Sequence, residues 1–112
     1  MLGLPTPLVT ITALPNKKYP LKKRKCIIIS SWVHPGESVA SFVFNGFFKF
    51  ILSNEAKHLW WYFVFKLIPV LNPDGVVHGN YWSSIAGVDL NWMWIDPDPV
   101  LHPSVFGLKS LI

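Results

Sequence analysis

The chain has 112 residues, room for one small domain and no more. Hydrophobic residues make up 51% and charged residues 14%, against roughly 25% charged in an average globular domain. So few charges on a small sphere leave apolar surface uncovered, which points to a chain that packs against more protein. The net charge of +4 is concentrated in a basic cluster from Lys17 to Lys25. A solvated loop between two strands accounts for it better than a nucleic-acid surface, which would interleave basic residues with aromatics along a groove. Cys26 is the single cysteine, so no internal disulfide can form, in keeping with a reducing compartment. The first residues carry neither a charged n-region nor a long apolar stretch, and no signal peptide is expected. The longest apolar runs, Val39 to Leu52 and Leu59 to Leu71, fall short of the roughly 20 residues that span a bilayer.

Leu8 to Leu14 alternates large apolar and small residues and predicts a strand, ended by Pro15-Asn16. Cys26 to Val33 is a continuous β-branched run. It suits a strand covered on both faces, as in a mostly parallel sheet. His34-Pro35-Gly36-Glu37-Ser38 breaks that strand. A helix follows, with Val39, Phe42, Val43, Gly46, Phe47, Phe50 and Ile51 at helical spacing. Gly46 weakens a helix interior, so close packing is expected there. Ser53-Asn54 ends the helix. Trp60 to Leu71 is rich in aromatic and β-branched residues and predicts a second buried strand. Asn72-Pro73-Asp74-Gly75 predicts a turn. From Val76 to Ile112 the chain has little periodicity, and long ordered loops with short helical turns are expected. The pattern argues for an α/β layer structure.

His34-x-x-Glu37 stands where a buried strand gives way to a helix, the end at which open α/β sheets bind ligands. An imidazole and a carboxylate so placed can face one point and suit zinc. Taken alone, the pair fits a surface contact or a helix start equally well.

Further motifs follow in order: Leu71-Asn72-Pro73-Asp74-Gly75-Val76, Gly79-Asn80-Tyr81, Gly87-Val88-Asp89-Leu90-Asn91 and Trp94. With His-Pro-Gly-Glu-Ser before them and Asp98-Pro99-Val100-Leu101-His102-Pro103 after, the chain resembles the zinc metallocarboxypeptidases, in their cytosolic carboxypeptidase branch. The resemblance runs from about Leu8 to Lys109. It implies a partial, mixed but mostly parallel sheet with flanking helices, an incomplete zinc carboxypeptidase fold. Residues 1–112 would be the N-terminal portion of one catalytic domain.

By the same resemblance His34 and Glu37 match the first two zinc ligands. Asn91 matches an asparagine that holds the substrate's terminal carboxylate, and Asp74 looks structural, its carboxylate meeting local backbone donors. The implied activity is zinc-dependent removal of C-terminal residues, glutamate above all, from protein tails such as those of polyglutamylated tubulin, in the cytoplasm. Nucleic acid and membrane are not implied partners.

The sequence also departs from the family pattern. Trp82 and Trp92 stand at substrate-binding positions where relatives carry arginine, and Trp32 and Trp60 also replace arginines. An indole offers one neutral N–H where a guanidinium offers a charged fork. The family's third ligand, a histidine, and its general-base glutamate belong to a region that this sequence does not match. His102 is not that ligand and is expected at the surface or behind the site, while His58 and His78 are expected exposed. The chain on its own is therefore expected to be an inactive carboxypeptidase portion. An acidic-tail-binding module and a decayed copy are the alternatives.

Overall fold

The computed structural model describes residues 2–112. Three strands and three helices follow one another as β1 (Val9–Ile11), β2 (Lys25–Ser30), α1 (Val39–Leu52), β3 (Phe63–Ile68), α2 (Pro73–His78) and α3 (Pro103–Lys109). The strands form one sheet in the order β1-β3-β2. β2 and β3 are parallel, with Lys25 opposite Phe63 and Ser30 opposite Ile68. β1 and β3 are antiparallel, with Val9 opposite Leu67. The sheet is thus mixed rather than mostly parallel, because the short first strand takes the free edge of β3 in the reverse sense.

Alternation along the strands builds two apolar layers. Phe65 and Leu67 of β3, with Ile27 and Ile29 of β2, face Ile11, Ala56 and the α1 residues Phe44, Phe47, Phe48 and Ile51. Ile68, with Ile28, faces the other way and meets Leu71, Trp94 and Leu108 of α3. Ile51 is 1% exposed, and burial on that scale stabilises by about 1.5–3 kcal/mol.

The sequence places α1 well but not its inner face. Phe42, Val43 and Phe50 are exposed, although the spacing assigned them to the buried side. α1 is apolar nearly all round, so periodicity could not tell which face meets the sheet. Gly46 is also exposed, and a Cβ there would meet nothing within 4 Å, so close packing does not explain it. β2 is only half-buried along Ile27 to Ile29, rather than covered on both faces, because it forms an edge of the sheet. β1 and β3 are shorter than their apolar runs, with Trp60 and Trp61 in a 3₁₀ turn that precedes β3.

Asn72-Pro73-Asp74-Gly75 begins a helix instead of a turn. Asn72 Oδ1 accepts from Gly75 N–H at 3.0 Å, and proline at the first helical position needs no N–H partner. Gly79 closes α2 with φ of 81°, a left-handed conformation that glycine adopts without strain. The remaining loops hold one 3₁₀ turn at Leu90–Trp92 and then α3. Among the described residues no helix is long and apolar enough to cross a membrane.

Candidate metal centre

The site lies at the carboxyl end of β2. Glu37 N–H donates to His34 O at 3.1 Å, closing a turn with Pro35 in the second position, where its fixed φ is suited. Ala40 and Ser41 N–H then bond to Glu37 O and Ser38 O, and α1 starts. Closing the turn sets the His34 and Glu37 side chains beside each other, with His34 Nδ1 3.3 Å from Glu37 Oε2.

The loops from the second half of the chain hold this turn. Gly36 N–H donates to Tyr81 O at 2.9 Å, and a Cβ on Gly36 would lie 2.4 Å from the Tyr81 ring. Only glycine lets the two segments approach so closely. Asn72, 3% exposed, is the joint. Its amide N–H₂ donates to Val33 O at 3.0 Å and Ser83 O at 3.4 Å, while its oxygen starts α2. One side chain thereby ties the histidine-bearing turn to both later segments. Trp32, at φ 56°, is in the left-handed region, and its indole N–H donates to Pro35 O at 2.8 Å.

Asp89 completes the arrangement and was not singled out from the sequence. Its carboxylate oxygens lie 3.1 and 3.2 Å from His34 Nε2. A carboxylate only accepts, so a hydrogen on Nε2 satisfies Asp89, and in that tautomer the ring presents a lone pair at Nδ1. That lone pair meets the Glu37 carboxylate with no hydrogen between them, an arrangement that calls for a proton or a cation. Two ligands at zinc–ligand distances of about 2.0–2.2 Å in tetrahedral geometry lie about 3.3–3.5 Å apart. The observed 3.3 Å therefore fits two of four positions around zinc. Among the described residues no group of three or more His, Cys, Asp or Glu side chains could hold a metal, so the centre amounts to these two donors.

Around the pair, Asn91 places its side-chain amide nitrogen, itself a donor, 3.1 Å from His34 Nε2, where it competes with Asp89 for the ring, and its backbone N–H donates to Asp89 Oδ1 at 2.9 Å. Trp82 packs edge-to-face on the His34 ring with centroids 4.5 Å apart. Trp92 stands in solvent, 80% exposed. Trp60 is away from the site, its indole N–H on Ile51 O at 2.9 Å. A cleft of about 530 Å³ opens beside Glu37 and Asn91, with Val33, Phe44, Phe47 and Trp94 in its walls.

The remaining candidates divide. Asp74 does not meet local donors: Oδ2 accepts from Leu2 N–H at 3.3 Å, and Oδ1 is buried without a partner. The short α2 turns that carboxylate toward the N-terminal segment rather than back on its own loop. His102 is buried, 8% exposed, and its Nδ1 accepts from Asp98 N–H at 3.1 Å, so it braces the lead into α3. His58 and His78 are exposed, as expected.

A family profile described as zinc carboxypeptidase matches residues 2–99. The chain is 55% identical over 92 residues to cytosolic carboxypeptidase-like protein 5 of Danio rerio, covering 80% of this chain and 10% of that protein. It is 43% identical over 113 residues to cytosolic carboxypeptidase 1 of Mus musculus, covering 95% and 9%. The chain thus spans about a tenth of the length of these relatives. A crystal structure of a metallo-carboxypeptidase from Burkholderia cenocepacia superimposes with a TM-score of 0.82 at 30% identity, over 94% of this chain and 28% of that one. A metallo-carboxypeptidase from Pseudomonas aeruginosa gives 0.80 at 26%, over 93% and 27%. The chain belongs to the zinc carboxypeptidase family, in its cytosolic carboxypeptidase branch.

Proposed function

We propose that His34 and Glu37 are two protein ligands of a zinc ion in a metallocarboxypeptidase that removes C-terminal residues, glutamate by preference, from polypeptide tails such as those of tubulin. The observation that carries this reading is the 3.3 Å approach of His34 Nδ1 to Glu37 Oε2, with Nε2 already committed to Asp89. A lone pair and a carboxylate held face to face form a cation-binding pair. When bound, zinc would polarise the scissile carbonyl and lower the pKa of a water.

The chain's own residues do the positioning. Asp89 accepts from a hydrogen on His34 Nε2, which would leave Nδ1 for the metal, and Trp82 covers one side of the ring. Asn91, at the mouth of the cleft, offers an amide to a substrate carboxylate. Trp92 and Trp82 supply no positive charge there, and with two ligands the metal would be held weakly. The 112 residues by themselves are accordingly read as non-catalytic. The names of the relatives and a free, exposed Cys26 support a cytoplasmic setting.

Titration with zinc against a competing chelator tests the reading. We expect one-to-one binding that is weak and is lost in both His34→Ala and Glu37→Ala. Equal binding by the wild type and His34→Ala would remove the metal centre from this place.

A further inference from the structure

The loop from Lys17 to Lys25 is not only a solvated connection. The fold brings Trp61 and Tyr62, from beyond α1, against Tyr19 of the loop itself. Tyr19 lies 5.6 Å from Trp61 and 5.3 Å from Tyr62, centroid to centroid, and the Tyr19 and Tyr62 hydroxyls are 3.4 Å apart. Lys18 Nζ sits 5.2 Å from the Tyr19 ring centroid. Lys25 N–H donates to Tyr62 O at 3.1 Å, which binds the far end of the loop to the same aromatics.

Arg24 is spent on the fold. Its guanidinium donates to Thr12 Oγ1 at 2.6 Å, Trp60 O at 3.0 Å and Tyr19 O at 2.9 Å, and to the carbonyls of Ala13 and Leu14. These bonds make the loop rigid and leave Lys17, Lys18, Lys22, Lys23 and Lys25, all exposed, as its outward charge. Among the described residues no carboxylate lies within ion-pair distance of these lysines, the ion pairs being those at His34.

We propose that this lysine surface, with Tyr19, Trp61 and Tyr62 behind it, binds a glutamate-rich polypeptide segment. Five ammonium groups on a braced loop give a positive field without fixed forks, which suits a flexible run of carboxylates. The aromatics meet edge-on and tilted, with two hydroxyls paired. They form a packed backing rather than a row of parallel faces for stacking bases, and that favours peptide over nucleic acid. The choice of a polypeptide rests on the carboxypeptidase reading; the unneutralised charge does not.

The surface lies at the amino end of β2 and His34 beyond its carboxyl end. The six residues of β2 separate the two by about 20 Å. A tail with its last residue at His34 would have to run about the length of β2 in extended form before meeting the lysines. The surface would select long acidic tails over short ones.

The test is anisotropy of a fluorescein-labelled ten-glutamate peptide with the full 112-residue chain. Lys18→Glu/Lys22→Glu should weaken binding by at least about tenfold. Lys49→Glu/Lys109→Glu, the same change in net charge elsewhere, should weaken it far less, and His34→Ala should leave it unchanged. Circular dichroism confirms that each variant folds. Equal weakening by the two double variants would overturn the proposal, as would tighter binding of a ten-nucleotide thymidine strand. Because His34→Ala keeps the surface and removes a zinc ligand, the two readings fail separately.

Discussion

Asp89 determines which nitrogen of His34 faces Glu37. With both carboxylate oxygens near Nε2, at 3.1 and 3.2 Å, the ring cannot turn without losing those bonds, and Nδ1 is left pointing at Glu37 Oε2. Fifty-five residues separate the two partners. The 3₁₀ turn at Leu90–Trp92 brings Asp89 back, and Asp89 caps that turn by accepting from Asn91 N–H at 2.9 Å.

Replacing this carboxylate should therefore act on metal affinity more than on the fold. Asp89→Asn keeps an oxygen for the Asn91 N–H but no longer enforces the tautomer. Partners that orient a ligating histidine typically contribute about 10–100-fold in affinity. Zinc titration should show a loss of that size with the circular dichroism spectrum unchanged. Unaltered affinity would mean that Asp89 does not orient the ligand.

Two glycines should respond in opposite senses to alanine. At Gly46, within α1, a Cβ would meet open space, so Gly46→Ala should stabilise by about 0.4–1 kcal/mol. At Gly36 the same atom would lie 2.4 Å from the Tyr81 ring. Gly36→Ala forces apart the two segments that Asn72 also joins, and should destabilise by about 1–3 kcal/mol. Urea unfolding of both variants checks the pair.

Acid should weaken the start of α3. Asp98 Oδ1 accepts from Leu101 N–H at 2.9 Å and Val100 N–H at 2.7 Å, and these bonds lower its pKa from 3.8, Leu101 contributing most. A carboxyl whose pKa is lowered on folding favours the fold fully above its unfolded pKa. It loses that effect as pH falls through the folded value, here below 3.8. Melting temperatures taken between about pH 6 and pH 2.5 should fall at the acid end, and Asp98→Asn should flatten the fall without abolishing it.

The sequence made the strand-to-helix passage through His34 and Glu37 legible, because a β-branched run, a Pro-Gly bend and an apolar helix follow directly. Local spacing sufficed there, since the turn that pairs the two side chains is closed within four residues. Asn72 and Asp89 were different. Both stood within quoted motifs, yet their roles depend on Val33, Ser83 and His34, partners far off in the chain that no local pattern reveals. Asn-Pro-Asp-Gly suits a turn and a helix start equally, and only the bond from Gly75 N–H to Asn72 Oδ1 separates them. The lysine segment is the exposed connection between β1 and β2 that its composition suggests, but its aromatic neighbours Trp61 and Tyr62 arrive from beyond α1, where no local pattern points to them.

The central claim is that His34 binds zinc through Nδ1 while Nε2–H stays on Asp89. Long-range ¹H–¹⁵N correlation of the histidine side chains during zinc titration tests it most directly. The account predicts that the His34 Nδ1 resonance moves with zinc while Nε2 keeps its hydrogen and shift, with His58, His78 and His102 unaffected. Movement of His34 Nε2 instead, or no response from His34 while zinc binds elsewhere, would contradict it.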